Sequence, residues 1–204
     1  MILYLIIILV CDIIILGINI LFNPNGQPFY YYLEANAIFL FGLILIDALV
    51  ALIIRKMPEK YFTLHNPLCR VSKKSQKLYR MLKVDKWKDY VPELGGFTNF
   101  HKDKLKNPYD NEYISKFILE VCYGTVIHVI SAPCSFLILL IDYQAFLGQS
   151  HLLLTMALPM AVINAILIYL PAMVLRYNIP RLKIIYDFNL SREKLKQKQA
   201  ENNN

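Results

Sequence analysis

Apolar residues run almost unbroken over Met1 to Phe22, Ala35 to Ile54, Tyr113 to Ile141 and His151 to Leu175, and the chain turns polar and basic between the second and third runs. Each run is near or above the ~20 residues that cross hydrocarbon as a helix. The pattern predicts an all-α integral membrane protein with four transmembrane helices. The last two runs exceed the required length and contain Pro133, Pro159 and Pro171, so they are expected to tilt, kink or break. The first run lacks a basic n-region and an A-x-A cleavage site, and the "NPNG" after it at Asn23 to Gly26 reads as a turn. It therefore reads as a permanent helix rather than a secretion signal.

The polar interval has its own periodicity. In "RVSKKSQKLYRMLKVDKWKDYVPELGG", Val71, Leu78, Leu82 and Trp87 recur at near-helical spacing with Lys on the other faces, which predicts a basic amphipathic helix lying on the membrane. Pro58 ends the second helix, while Pro92 and Gly95-Gly96 end the amphipathic one and open a flexible stretch to Pro108. The tail "NLSREKLKQKQAENNN" is expected to form a short charged helix that frays. The organisation along the chain is then helices one and two over 1–54, a basic interfacial segment over 55–112, helices three and four over 113–182, and a charged tail over 183–204.

Charge fixes an orientation for this plan. The net charge is +7, and the 22 Lys and Arg fall between Arg55 and Lys106, at Lys116, and from Arg176 onward, with none in the two flanking apolar stretches. By the positive-inside rule the central segment, the tail and both termini are cytoplasmic, and the loops at Asn23 to Glu34 and Asp142 to Ser150 lie outside. The basic residues then serve topology and anionic lipid headgroups, and nucleic acid is not an expected partner. A mean hydropathy of +0.40 supports a membrane protein. Cys11, Cys69, Cys122 and Cys134 form no C-x-x-C pair, which indicates neither a disulfide framework nor a metal site.

Polar groups within the apolar runs are the candidates for chemistry, because each is expensive in lipid unless it faces protein or a wet cavity. Lys116, Glu120, Gly124 and His128 recur every four residues and form one stripe on the third helix. A neutral histidine can take the proton of a hydroxyl as that oxygen attacks a carbonyl. Glu120 and His128 can equally serve only to hydrogen-bond neighbouring helices. Asp12 and Asp47 are candidates to orient such a histidine or to pair with Lys or Arg, with a plain interhelical hydrogen bond the better reading for Asp12. At the end of the fourth run Arg176 and Arg181 flank Pro180, where they can anchor the helix or bind phosphate or carboxylate, and Asn178 adds an amide. The G-x-S-x-G, P-loop, H-E-x-x-H, G-x-G-x-x-G and H-x4-D signatures are absent from the sequence, so any catalysis uses a membrane-embedded site.

"PEKYF" (Pro58 to Phe62), "KVDKWKDYVPELGG" (Lys83 to Gly96), "ILEVCYGTVIHVIS" (Ile118 to Ser131) and "RYNIPRL" (Arg176 to Leu182) together resemble, in that order, the glycosyl diaponeurosporenoate acyltransferases that finish staphyloxanthin. The resemblance implies transfer of a fatty acyl group to a sugar hydroxyl of a membrane glycolipid. Its matched polar positions here are Lys86, Trp87, Lys88, Glu120, His128, Arg176, Tyr177, Asn178 and Arg181. The chain departs from the pattern at Leu175 and Ile179, where Gln and a basic residue are expected around the R-Y-N core.

The leading expectation is a cytoplasm-facing acyltransferase that moves a fatty acyl group from acyl-CoA to a hydroxyl of a glycolipid or other lipid-linked acceptor. His128 and Glu120 are the catalytic candidates; Lys86, Trp87, Lys88, Arg176, Tyr177, Asn178, Arg181 and Asp47 are the binding candidates. No covalently bound cofactor and no metal is expected. Two other readings stay open: a small multispanning methyltransferase or reductase whose soluble cofactor meets the Arg176 to Arg181 cluster, and a non-catalytic interaction or immunity protein whose polar groups lock helices together.

Overall fold

A computed structural model of the chain describes residues 2–23, 26–91, 105, 107–141 and 151–202. The described residues form helices and connecting turns, with no strand among them. Helix α1 covers Ile2–Leu21 and α2 covers Phe29–Arg55; the polar interval holds a 3-10 turn at Glu59–Tyr61, α3 at Lys73–Met81 and α4 at Val84–Trp87; α5 covers Asn111–Cys134 and α6 covers Leu158–Asn202. Among the described residues, three helical stretches are long and apolar enough to cross a membrane: Phe29–Arg55, Asn111–Leu140 and Leu153–Asn202. The apolar stretch Ile6–Leu21 of α1 is shorter. In lipid such elements must be helical, because only a helix satisfies its own backbone polar groups within one segment.

Contacts divide the chain into two compact units, one made of Met1–Lys56 with Ile127–Pro171, the other of Met57–Val126 with Ala172–Asn204. In the first unit, α1 and α2 form a hairpin. Asn23 secures its turn: the side chain donates to Gln27 O at 2.7 Å and accepts from Gln27 N and from the Tyr32 hydroxyl, each at 2.8 Å. Gly26 adopts φ 62, which glycine enters without the Cβ clash other residues meet. The rest of the turn, and the loop expected at 142–150, lie outside the described residues. The core joins Ile15, Tyr32, Ala35, Phe39 and Leu43 to Ile138, Leu152, Met156 and Ala161. Asn19 donates to Thr155 O at 2.9 Å and accepts from the Thr155 hydroxyl at 2.6 Å, pinning α1 to the π-helical turn Leu153–Ala157 that precedes α6.

In the second unit the polar interval folds onto parts of α5 and α6. Phe62 stacks on Tyr123 with ring centroids 4.0 Å apart, the Tyr123 hydroxyl donates to Met57 O at 3.2 Å, and the buried Asn189 donates to Pro108 O at 2.7 Å. Phe62, Cys69, Tyr79, Val84, Cys122 and Leu182 are buried.

Three sequence expectations change. The amphipathic segment is not one helix: α3 stops at Met81, Lys83 takes the left-handed conformation at φ 51, and α4 begins at Val84. The residues buried there are Tyr79 and Val84, whereas Leu78 and Leu82 are exposed, because packing within the unit selects a different face from the one the Leu spacing marks. The end assigned to Pro92 and Gly95-Gly96 lies outside the described residues. The break expected near Pro133 takes the form of a change from α5 to a 3-10 stretch at Ser135–Leu140. By contrast, α6 runs from Leu158 through Pro171 and Pro180 to Asn202, so the tail continues the last helix rather than forming a separate short one. Pro159 directly follows the π-helical turn Leu153–Ala157, a local widening of the kind found where a helix carries a proline.

Candidate active site

Helix α5 starts on a side-chain cap: Asp110 accepts from the backbone N–H of Glu112 at 2.9 Å and of Tyr113 at 3.2 Å. Lys116 then pairs with Glu112 at 2.7 Å one turn later, on the exposed side. This start sets the helix phase, with Ile114, Phe117, Ile118, Val121 and Cys122 buried. Glu120, Gly124 and His128 follow one another along a neighbouring strip, and the two ionisable side chains are half-buried. Eight residues separate them, which is about 12 Å along the axis at the usual rise, too far for a direct hydrogen bond. Three and seven residues past His128 stand Ser131 and Ser135, both buried.

His128 belongs to the first unit together with Ser131, Ser135, Asp47 and Asn164. The Asn164 amide donates to Asp47 Oδ2 at 3.1 Å and to Ser135 Oγ at 3.0 Å, and the Ser135 hydroxyl donates to Ser131 O at 3.3 Å. The chain of hydrogen bonds thus ends one turn from His128. Asp47, a candidate to orient the histidine or to pair with a cation, is held by an amide instead. Asp12 likewise accepts from Asn36 at 2.9 Å, the interhelical bond expected of it.

The second unit carries the candidate cations. Arg176 is engaged through all three guanidinium nitrogens: Nε donates to the Tyr79 hydroxyl at 2.9 Å, Nη1 to Leu68 O, and Nη2 to Arg70 O at 3.3 Å. Its neighbours differ. Arg181 lies over the Tyr177 ring, 5.0 Å from the centroid, and donates to the Tyr177 hydroxyl at 3.1 Å, an i,i+4 pairing on α6. Asn178 between them is half-buried. On α4, Lys86 is exposed and Trp87 donates its indole N–H to Leu82 O at 2.9 Å; just past its end, Lys88 lies 3.9 Å from Asp89. Among the described residues no group of three His, Cys, Asp or Glu converges as a metal site requires.

Four residues that organise these arrangements were not candidates from the sequence: Tyr79, Asn36, Asn164 and Ser135. Asn36 and Asn164 do carry a signal, since each is an amide inside an apolar run and such a group seeks a partner on another helix. Tyr79 carries none, because its partner is 97 positions away.

The model of the family described as glycosyl-4,4'-diaponeurosporenoate acyltransferase matches residues 58–187, well over half of the chain. The chain belongs to that family. The match takes in all four sequence blocks that resembled it and every candidate position except Asp12 and Asp47. The protein is therefore an enzyme, a membrane acyltransferase of a family tied to carotenoid biosynthesis. No curated protein and no solved structure matches the chain.

Proposed function

We propose that this acyltransferase moves a fatty acyl group from acyl-CoA to a hydroxyl of a glycolipid or other lipid-linked acceptor at the cytoplasmic side of the membrane. The observation that carries the reading is His128, a base one turn before the buried Ser131 in an apolar stretch of α5, in a chain of an acyltransferase family. The acceptor hydroxyl attacks the thioester carbonyl as the neutral imidazole of His128 takes its proton. The tetrahedral intermediate collapses with cleavage of the C–S bond, and the proton passes to the departing thiolate, which leaves as CoA while the ester remains in the membrane.

Glu120 orients the base through another group or accepts a hydroxyl of the acceptor. Lys86, Lys88 and Arg181 supply positive charge for the phosphates of the donor, with Trp87, Tyr177 and Asn178 as flanking contacts. Arg176 contributes by ordering the 68–79 segment, to which its guanidinium is bonded. Both termini and residues 55–112 face the cytoplasm, where acyl-CoA is available, and all four apolar helices span. Leu175 and Ile179 depart from the family pattern as read from the sequence, so the acceptor need not be a carotenoid glycoside.

The test is direct. Purified protein given labelled acyl-CoA and a total glycolipid extract produces a labelled ester and free CoA thiol in equal amounts; release of thiol without ester, or no reaction with any acceptor fraction, contradicts the proposal.

A further inference from the structure

Cys69 and Cys122 stand 53 positions apart in the chain and meet inside the second unit. The Cys69 thiol donates to the Cys122 carbonyl at 3.8 Å, the two thiols are hydrogen-bonded to one another, and both residues are 0% exposed. Neither takes part in the mechanism above. Cys11 and Cys134 are half-buried and belong to the other unit.

The chain holds Cys69 in place from both sides. Asn66 O accepts from the backbone N–H of Cys69 at 3.0 Å and of Arg70 at 2.8 Å, while the Asn66 side chain accepts from Leu68 N and donates to Tyr61 O, each at 2.8 Å. Arg176 fastens the carbonyls of Leu68 and Arg70, the two neighbours of Cys69. These bonds fix the backbone of a short turn and seat its thiol against Cys122.

A buried thiol on its own is inert packing. Two thiols in contact on separate elements have a second chemistry, since the close approach of the side chains is what a disulfide demands. The hydrogen bond from Cys122 and the charge of Arg176 lower the Cys69 thiol below its ordinary value, against the opposing effect of burial. The thiolate is the form that reacts with a peroxide. Burial also selects the oxidant: hydrogen peroxide is near water in size and needs only a small local opening of a turn that belongs to no long helix.

We infer that Cys69 and Cys122 are a peroxide-sensitive pair whose oxidation to a disulfide locks residues 62–72 onto α5. The Cys69 thiolate attacks one peroxide oxygen; an S–O bond forms as the O–O bond breaks, and the departing hydroxide takes up a proton to become water. The Cys122 sulfur then displaces the oxygen of the sulfenic acid, an S–S bond forms, and a second water leaves. The two sulfurs together lose two electrons and the peroxide gains them. On the cytoplasmic side proposed above, the thiol pool reduces the bond again by thiol–disulfide exchange, so the lock is transient.

The full chain in lipid nanodiscs, first reduced, is treated with hydrogen peroxide and followed by non-reducing peptide mass spectrometry and by hydrogen exchange. A linked Cys69–Cys122 peptide appears, two hydrogens lighter than its parts, and dithiothreitol erases it. Exchange of the backbone amides of 62–72 slows about tenfold on oxidation and recovers on reduction, as loss of a local opening requires. Survival of both thiols after peroxide treatment, conversion of Cys69 to sulfinic or sulfonic acid without a link, a link that forms only after unfolding in SDS, or a link that leaves the exchange of 62–72 unchanged overturns the inference. In Cys122→Ala the exchange of 62–72 is indifferent to peroxide; a slowing that persists there overturns the lock, and the parent chain alone decides the matter should that variant fail to fold.

Discussion

Arg176 donates its Nε–H to the hydroxyl of Tyr79 at 2.9 Å, and the same guanidinium holds the carbonyls of Leu68 and Arg70. A planar fork with fixed donor directions does this; a lysine ammonium does not. One side chain of α6 thereby fastens three points of the segment that leads into α3.

Removing the hydroxyl alone by Tyr79→Phe deletes one bond and is expected to cost about 0.5–1.5 kcal/mol, while Arg176→Lys disturbs three bonds and costs more, about 2–3 kcal/mol. Unfolding by SDS titration in micelles measures both. Equal costs for the two variants, or a stable Arg176→Lys protein whose acyl transfer alone is lost, would make Arg176 a donor-binding residue and not a fastener.

Gly124 tests how closely α5 and α6 approach within the second unit. A Cβ built at this position meets Leu175 Cδ1 at 2.9 Å, which is the far end of a flexible side chain. Gly124→Ala gains about 1 kcal/mol in helix propensity and loses a comparable amount in displacing the leucine, so its net effect is near zero. Gly124→Ile cannot be absorbed in that way and is expected to destabilise by about 1–3 kcal/mol. The same titration checks the pair; a tolerated isoleucine would show that the two helices separate readily there.

Orientation is testable with single-cysteine reporters in intact cells. With all four apolar helices spanning, a cysteine at Gln27 reacts with an impermeant maleimide, and cysteines at Ser75 and Asn202 do not. Labelling at Ser75 from outside would remove Lys86 and Lys88 from the side where acyl-CoA is found, and with it the proposed route for the donor.

The apolar runs foretold the helices well because lipid leaves the backbone no other choice. The helical stretches Phe29–Arg55 and Asn111–Leu140, the latter including its 3-10 end, cover nearly all of the runs that predict them and extend a few residues into the flanks. Where water is available the pattern was a weaker guide. Nothing in "MLKVDK" announces the reversal at Lys83, because its left-handed φ occurs without a glycine, and Tyr79 rather than Leu78 faces inward because Arg176 captures its hydroxyl. The continuation of α6 past Pro180 follows from burial of Leu182 and Asn189 against the second unit, a tertiary effect that outweighs local propensity. Of the candidate site, the Glu120–His128 strip was visible as a four-residue period. The hydrogen bond of Asp47 to Asn164 was not, since it joins residues 117 positions apart.

Replacing the proposed base tests the account most directly. In the labelled acyl-CoA assay, His128→Ala and His128→Gln in folded protein, with unfolding midpoints close to that of the parent, are expected to lower kcat by about 10²–10⁴-fold, the contribution of a positioned general base. Glu120→Gln is expected to leave measurable turnover. Full ester synthesis by folded His128→Ala protein would contradict the mechanism.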